Sequence, residues 1–249
     1  MFFLSRSAFC MHKVCVGWLV GRRCVGWLAL CLLFPLSLLG AAARCGGGAP
    51  RVLVVYDSVD NHTRQMADAL AAGASGAEVV VLRVGDPSAS FPAIVAFDFD
   101  ALALGSPVHY ANPSPASLQW LVDGLGPGWG NGTFEDVPAA VFATGGGIHQ
   151  GTEGTLQGLT RGLLNFGFRM VTPRVSTSGF YSSLGASAVT GTSPWKVLTS
   201  KGTAPPPAPP SGGPVADVFL QVARDLGSKL AKEGLRERRE RCRMVREQS

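Results

Sequence analysis

The sequence predicts an α/β protein whose core is a doubly wound, five-stranded parallel sheet with helices on both faces. From residue 51 onward, short apolar runs rich in β-branched residues alternate with longer stretches of helical periodicity. Strands that alternate with helices form parallel sheets through right-handed crossover connections. The chain has 249 residues, of which 46% are hydrophobic, which is enough for one domain of ordinary size with a sizeable core.

Each predicted element has a local signal in the sequence. Residues 51–56 (RVLVVY) form a continuous β-branched run, as in a strand that is buried on both faces. Residues 63–74 (TRQMADALAAGA) have helical spacing and a glycine near their end. The remaining strands are predicted at EVVVLRV (78–84), FDALALG (99–105), VPAAVFA (137–143) and FRMVTP (168–173), and the remaining helices at SPASLQWLVDGL (114–125), TEGTLQGLTRGLLNFG (152–167) and VADVFLQVARDLGSKLAKEG (215–234).

Five strands of this kind suit the flavodoxin-like order 2-1-3-4-5. In sheets of that order the ligand lies at the carboxyl ends of the strands. The loops after strands one, three and four are therefore the candidate site, and all three are rich in hydroxyl groups, glycine or asparagine, and histidine. They read DSVDNHT (57–63), SPVHYANP (106–113) and TGGGIHQGT (144–152).

The chemistry of these loops suits an anionic ligand with a planar part. The first loop leads into a helix at Thr63, and a helix N-terminus favours an anion, most often phosphate. Simple N-capping by Asp60 or Asn61 would explain the same residues. The three consecutive glycines of the third loop allow backbone N–H groups to approach a ligand closely. With Tyr110 in the second loop, the edge suits a planar ring that carries a phosphate group.

Three co-linear segments carry a family resemblance. GSPVHYANP (105–113) is similar to a family motif of Gly-Thr-Pro, a variable pair, an aromatic residue, Gly and Asn. FATGGGIHQGTEGTL (142–156) is similar to a Phe-x-Ser/Thr-x-Gly stretch before a helix, and LVDGLGPGWGNG (121–132) resembles a segment with a tryptophan near the flavin. Over residues 51 to 173 the chain resembles the NAD(P)H:quinone oxidoreductases related to tryptophan-repressor-binding protein, within the flavodoxin superfamily.

The resemblance implies a non-covalent FMN cofactor, NAD(P)H as hydride donor, a quinone as electron acceptor, and a homo-oligomer that is a tetramer or a dimer. The FMN phosphate is expected on Ser58, Val59, Asp60, Asn61, His62 and Thr63. The flavin ring is expected against Val108, His109, Tyr110, Thr144, Gly145, Gly146, Gly147, Ile148 and His149. The expected catalytic residues are Trp129, where quinone and nicotinamide would alternate, and His149, which would donate to the quinone oxygen.

The chain departs from the family pattern at several positions. Asn61 stands where the family has glycine, and asparagine tolerates a positive φ better than most residues. Asp60 replaces an aromatic residue that helps to seat the nicotinamide, and Asn165 replaces a histidine near a helix end. Two alternatives to a quinone reductase remain, namely a flavodoxin-type electron carrier and a flavin-less binding module of the same fold.

The charge distribution does not indicate a nucleic-acid surface. The net charge is +5, but residues 1–50 contain five basic residues and no acidic one, so the 17 basic and 17 acidic residues of 51–249 cancel. No metal site is expected either, because His62, His109 and His149 have no carboxylate or cysteine partner at ligand spacing.

The two ends of the chain differ in character from the middle. Residues 24–43 are uncharged, follow Arg22 and Arg23, and have nearly the length that spans a bilayer. We therefore expect residues 1–50 to be a signal peptide or membrane anchor, residues 51–231 to be the FMN domain, and residues 232–249 to be a basic extension. The expected location is the membrane or the secretory pathway, or the cytosol if residues 1–50 are not in the mature protein.

Overall fold

The computed structural model describes residues 48–147, 150–173, 184–190 and 213–247. The strands are β1 (Arg51–Tyr56), β2 (Glu78–Arg83), β3 (Ala101–His109), β4 (Asn112–Pro113), β5 (Pro138–Gly145), β6 (Arg169–Met170) and β7 (Ala186–Val189). The α-helices are α1 (His62–Gly73), α2 (Phe91–Phe97), α3 (Pro115–Trp120), α4 (Thr152–Asn165) and α5 (Asp217–Glu247). A π-helical turn (Leu121–Leu125) and a 3-10 segment (Gly126–Asn131) continue α3.

The sheet confirms the predicted fold class. Its parallel strands run in the order β2-β1-β3-β5, with β6 and β7 beyond β5. The short β4 pairs antiparallel with β3 and lies off this path. With β4 set aside, and with β6 and β7 counted as one position, the order is the predicted 2-1-3-4-5.

The fifth position of the sheet differs from the prediction, because it is divided between two short strands. Residues 168–173 contribute only β6, which pairs with the start of β5 at Pro138 and Ala139. The other half is β7, which pairs with residues 142–145 at the end of β5. The sequence of β7 (ASAV) was not predicted as a strand, since it has only four residues.

The segments around β3 also differ from the prediction. β3 was expected to end at Gly105, but it continues to His109, and Pro107 is still in register with Thr144 of β5. Helix α2 was not predicted, because it has only seven residues and opens on Phe91 and Pro92. Neither difference changes which strand ends meet at the carboxyl edge of the sheet.

Two hydrophobic cores lie on the two faces of the sheet, because alternate residues of each strand point to opposite sides. Val52 and Val54 of β1 belong to the core under α1 and α5. Leu53 and Val55 belong to the core under α2, α3 and α4. Two separate cores of this kind are what a doubly wound sheet requires.

Helix α5 runs without a break through residue 232, the predicted start of the basic extension. Glu237 is buried, and Arg238 and Arg241 pair with the buried carboxylate of Asp100. One face of this stretch therefore packs on the domain. Within the described residues, no helix has the length and apolar character that crossing a membrane requires. The predicted membrane segment, residues 24–43, lies outside the described residues.

Candidate active site

The loops at the carboxyl ends of β1, β3 and β5 meet in one cleft, as predicted. The cleft has a volume of about 490 Å³. It is lined by nine of the predicted site residues and by three residues that were not predicted. The lining residues are Val59, Asp60, His62, Thr63, Pro107, Val108, His109, Ser114, Thr144, Gly145, Gly146 and Thr190.

The first loop opens onto the N-terminus of α1 with a positive φ. Asn61 has φ 64 and ψ −1, the left-handed conformation that asparagine tolerates, and α1 begins at His62. The alternative of N-capping is not realised, because no side chain caps this helix in the described part of the chain. The N–H groups of the first turn are therefore left for another acceptor.

Two buried polar side chains lie at this helix start. Ser58 is 5% exposed and His62 is 6% exposed. Neither the Ser58 Oγ nor the His62 Nε2 has a hydrogen-bond partner among the described residues. A buried polar atom without a partner is unfavourable, so such groups usually mark a ligand or an ordered water. Both groups fit a phosphate on this loop.

Thr63 has a different role from the other loop residues. Its hydroxyl lies 2.8 Å from the Thr144 hydroxyl, and either oxygen is a suitable donor. Thr63 is 1% exposed, so this hydrogen bond lies in the interior. The pair ties the first loop to the third and occupies one of the two hydroxyl protons. Thr63 therefore holds the two loops together, and its hydroxyl can make fewer hydrogen bonds to a ligand.

Arg83 supports the first loop from outside the cleft. Its Nη2 donates to the backbone carbonyl of Ser58 at a distance of 2.8 Å. Arg83 is the last residue of β2, which is the neighbour of β1 in the sheet. The predicted strand order was the signal that would have found it, because that order places the ends of β2 and β1 side by side.

The second loop is a tight hairpin between β3 and β4. Tyr110 and Ala111 have φ values of 47 and 63, and His109 pairs with Asn112 across the turn. Val108 and His109 line the cleft, whereas Tyr110 does not and is 90% exposed. The Tyr110 ring meets the His109 ring edge to face at 5.0 Å. The predicted aromatic residue thus lies at the rim and contacts the cleft through His109.

The glycines of the third loop serve more than one purpose. Gly145 and Gly146 line the cleft. A Cβ on Gly146 would meet only the Gln150 side chain, at 3.6 Å, so packing within the protein does not require a glycine at this position. Gly151 has φ 96, and a Cβ there would overlap Ala111 of the hairpin. Gly147 lies beside Gln150 and not among the lining residues.

Of the two predicted catalytic residues, the described part of the chain contains only Trp129. Ile148 and His149 lie outside the described residues. Trp129 is 62% exposed and its Nε1 donates to the backbone carbonyl of Asn165 at 2.9 Å. Trp129 is thus attached to the C-terminal end of α4 and is not among the cleft-lining residues.

The sequence reasoning missed Ser114 and its partner Asp57. The Ser114 Oγ donates to Asp57 Oδ2 at 2.7 Å and accepts from the Ser117 N–H at 3.1 Å, which caps α3. Ser114 lines the cleft, so this pair brings a carboxylate next to the candidate site. The sequence signal that could have found this pair was a serine at the start of a predicted helix together with an aspartate directly after β1.

The chain is similar to several proteins of known name. A protein of Geotalea daltonii named NAD(P)H dehydrogenase (quinone) is 31% identical over 176 residues, which cover 61% of this chain and 84% of that protein. A protein of the same name from Sinorhizobium fredii is 29% identical over 200 residues, covering 73% and 96% of the two chains. No protein-family model matches the chain.

The chain belongs to the NAD(P)H dehydrogenase (quinone) family. The aligned region of the Geotalea daltonii relative decides this, since it includes most of that protein at more than 30% identity. The resemblance seen in the three loop segments is thereby confirmed. The NAD(P)H dehydrogenase (quinone) family is a family of oxidoreductases, so the expectation of an enzyme is confirmed as well.

A solved structure agrees with the fold of this NAD(P)H dehydrogenase (quinone) family member. The flavodoxin, WrbA-like protein from Agrobacterium tumefaciens aligns with a TM-score of 0.54 at 21% sequence identity. The alignment covers 76% of this chain and 99% of the other. At this identity the likeness shows the flavodoxin-like fold alone.

Proposed function

We propose that this protein binds FMN in the cleft and uses NAD(P)H to reduce quinones by two electrons. One observation carries the proposal: at the uncapped start of α1, the buried Ser58 Oγ and His62 Nε2 have no partner among the described residues, and His62 lines the cleft. The relatives named NAD(P)H dehydrogenase (quinone) support the choice of donor and acceptor.

The FMN phosphate would lie on the first loop. The N–H groups of the first turn of α1 would donate to it, and the helix dipole favours its negative charge. Ser58 Oγ and His62 Nε2 have no partner among the described residues, so they are the side chains that would gain one. Arg83 would hold the loop by its bond to the Ser58 carbonyl.

The flavin ring would lie between the second and third loops. Val108 and His109 form one side of the cleft, and Gly145 and Gly146 form the other. Bound FMN would supply the redox chemistry, because it accepts a hydride and passes two electrons to the acceptor. The backbone N–H groups of the glycine loop would stabilise the negative charge that this chemistry builds on the ring edge.

The nicotinamide and the quinone would occupy the open part of the cleft in turn. His149 remains our candidate donor to the quinone oxygen, and Trp129 our candidate stacking residue. Trp129 would have to leave its bond to the Asn165 carbonyl, or meet the substrate at the rim, to take that role. Asp60 lines the cleft and adds a carboxylate there.

We also propose that the protein forms a homo-oligomer, a dimer or a tetramer. Leu118, Val122, Trp129 and Leu164 are large hydrophobic residues that are 42% to 62% exposed. Exposed apolar residues of this kind are often found at subunit interfaces. Light scattering of the purified full chain tests this, and a monomer at micromolar concentration would contradict it.

Two measurements test the proposed activity. Flavin absorbance of the purified protein, followed by mass spectrometry of the released cofactor, tests for FMN. Oxidation of NADH or NADPH is then followed with a benzoquinone as acceptor. Bound FMN without sustained turnover would favour the electron carrier instead. No flavin binding, even after addition of FMN, would favour the binding module.

A further inference from the structure

Asp60 places a carboxylate at the rim of the candidate active site. It is an exposed residue of the first loop, and it lines the cleft. In the described part of the chain, no salt bridge involves it. We propose that Asp60 makes this protein select NADH over NADPH. This inference rests on the proposed function, since it concerns the hydride donor of that reaction.

The charge of the cleft wall supports this selection. Among the described residues that line the cleft, none is a lysine or an arginine. Asp57 adds a second carboxylate next to the lining residues, because its Oδ2 accepts a hydrogen bond from Ser114 Oγ at 2.7 Å. A bound FMN phosphate would increase the negative charge further. A dinucleotide that approaches the described part of the cleft therefore meets an anionic surface.

The arginine beside the first loop makes its contact with the backbone. Arg83 Nη2 donates to the Ser58 carbonyl at 2.8 Å, and Arg83 is not among the residues that line the cleft. Sites for NADP often present an arginine to the 2′-phosphate, whereas sites for NAD present an acidic residue to the 2′-hydroxyl. The lining residue Asp60 thus provides the side chain that is typical of a site for NAD.

NADH and NADPH differ only at the 2′ position of the adenosine ribose. NADH has a hydroxyl there, which can donate a hydrogen bond to the Asp60 carboxylate. NADPH has a phosphate there, with roughly two negative charges. At an effective dielectric constant of about 20, such charges about 8 Å from a carboxylate change an affinity by tenfold or more. Because Asp60 is exposed, salt screens this repulsion, and the selection should be strongest at low salt.

The test compares kcat/KM for NADH and NADPH, with the FMN-saturated full chain and a benzoquinone at about 0.05 M salt. We expect kcat/KM to be about tenfold higher for NADH, and the ratio to fall at about 0.5 M salt. Asp60→Asn should lower the ratio about threefold or more, through the KM for NADPH and with kcat unchanged, since Asp60 acts on binding. Asp60→Glu keeps the carboxylate and should keep the ratio.

A matched variant controls for the change in net charge. Glu240→Gln removes one negative charge from an exposed residue of α5 that does not line the cleft, so it should keep the ratio. Calorimetric titration with NAD⁺ and NADP⁺ gives a second readout that needs no turnover. The ratio of the two dissociation constants should change in the same direction in Asp60→Asn.

The outcomes separate this inference from the function on which it rests. Equal efficiencies of NADH and NADPH in the unmodified protein would overturn the inference and leave the proposed function standing. An unchanged ratio in Asp60→Asn, or an equal change in Glu240→Gln, would do the same. No turnover with either dinucleotide would contradict the proposed function itself, and the inference with it.

Discussion

At the residue scale, Ser58 is our candidate side-chain donor to the phosphate, because its buried Oγ has no partner among the described residues. Ser58→Ala is expected to lower FMN affinity by roughly ten- to hundredfold, since one hydrogen bond to a charged group contributes about 1.5–3 kcal/mol. Riboflavin lacks the phosphate, so its affinity should not change. Calorimetric titration with both flavins measures this. Equal losses for the two flavins would show that the loop does not bind phosphate.

Thr63 serves as the contrast to Ser58, because its hydroxyl is bonded to Thr144. Thr63→Val keeps the side-chain shape and breaks that bond inside the protein. We expect a loss of about 1–2 kcal/mol in the free energy of unfolding. The affinities for FMN and riboflavin should fall to a similar degree, since the substitution changes the loop and not a contact with one group of the ligand. A selective loss of FMN affinity would assign Thr63 to the phosphate instead.

Gly146 tests the position of the flavin ring. A Cβ there meets only the Gln150 side chain, at 3.6 Å, and Gly146 lines the cleft, so a larger side chain would occupy space in the cleft. Gly146→Val is expected to abolish FMN binding with little change in the thermal midpoint. Gly126→Val is the control, because a Cβ at Gly126 meets nothing within 4 Å and Gly126 does not line the cleft. Full FMN occupancy in Gly146→Val would place the ring elsewhere.

Asp100 gives the protein a pH-dependent term in its stability. Burial raises the pKa of Asp100 above its usual 3.8, and this outweighs the lowering by the Arg51 N–H, Arg241 and Arg238. The folded protein therefore holds this proton more tightly than the unfolded chain. The contribution of Asp100 to the free energy of unfolding is therefore fully present below pH 3.8. It is lost as the pH rises through the pKa that Asp100 has in the folded protein.

Asp100→Asn makes this term measurable. Asparagine is neutral at every pH and keeps an oxygen that can accept from the Arg51 N–H. The unfolding free energy of the native protein minus that of Asp100→Asn should decrease as the pH rises from about 4 to about 7. Chemical denaturation across that range measures it. A difference that widens toward neutral pH would show that the arginine pairs lower the pKa of Asp100 overall.

At the scale of elements, α5 and α1 are in contact through glycines. A Cβ on Gly227 would overlap the Leu70 carbonyl oxygen, and one on Gly73 would overlap the Arg224 carbonyl oxygen. Gly227→Ala is expected to cost about 1–3 kcal/mol by overpacking, although alanine normally favours a helix. Gly130→Ala, where a Cβ meets nothing within 4 Å, should be close to neutral. A stabilised Gly227→Ala protein would contradict this packing.

The elements that the sequence predicted correctly are those with long, regular patterns. The runs that became β1 and β2 are rich in β-branched residues, the run that became β5 is apolar, and α1 and α4 have helical spacing over 12 and 14 residues. α2 and β7 were missed because seven and four residues are too few for a pattern. β3 was expected to end at Gly105, but pairing with β5 keeps Ser106 and Pro107 in the sheet.

At the scale of the whole molecule, the strand order decided how much of the site was predictable. Once β1, β3 and β5 are neighbours in a parallel sheet, their following loops must meet at one edge. That is why nine predicted residues line one cleft. Which hydroxyl groups are free is a different question, since the Thr63–Thr144 and Ser114–Asp57 bonds join residues 81 and 57 positions apart. Sequence patterns are local and carry no signal for such pairs.

The central claim is that the cleft holds FMN with its phosphate at the start of α1. The most direct measurement is the ratio of the dissociation constants of FMN and riboflavin for the unmodified full chain, by calorimetry at low salt. The account predicts that FMN binds at least about a hundredfold more tightly, since two or more charge-assisted hydrogen bonds of about 1.5–3 kcal/mol each depend on the phosphate. Equal affinities for the two flavins, or no binding of either, would contradict it.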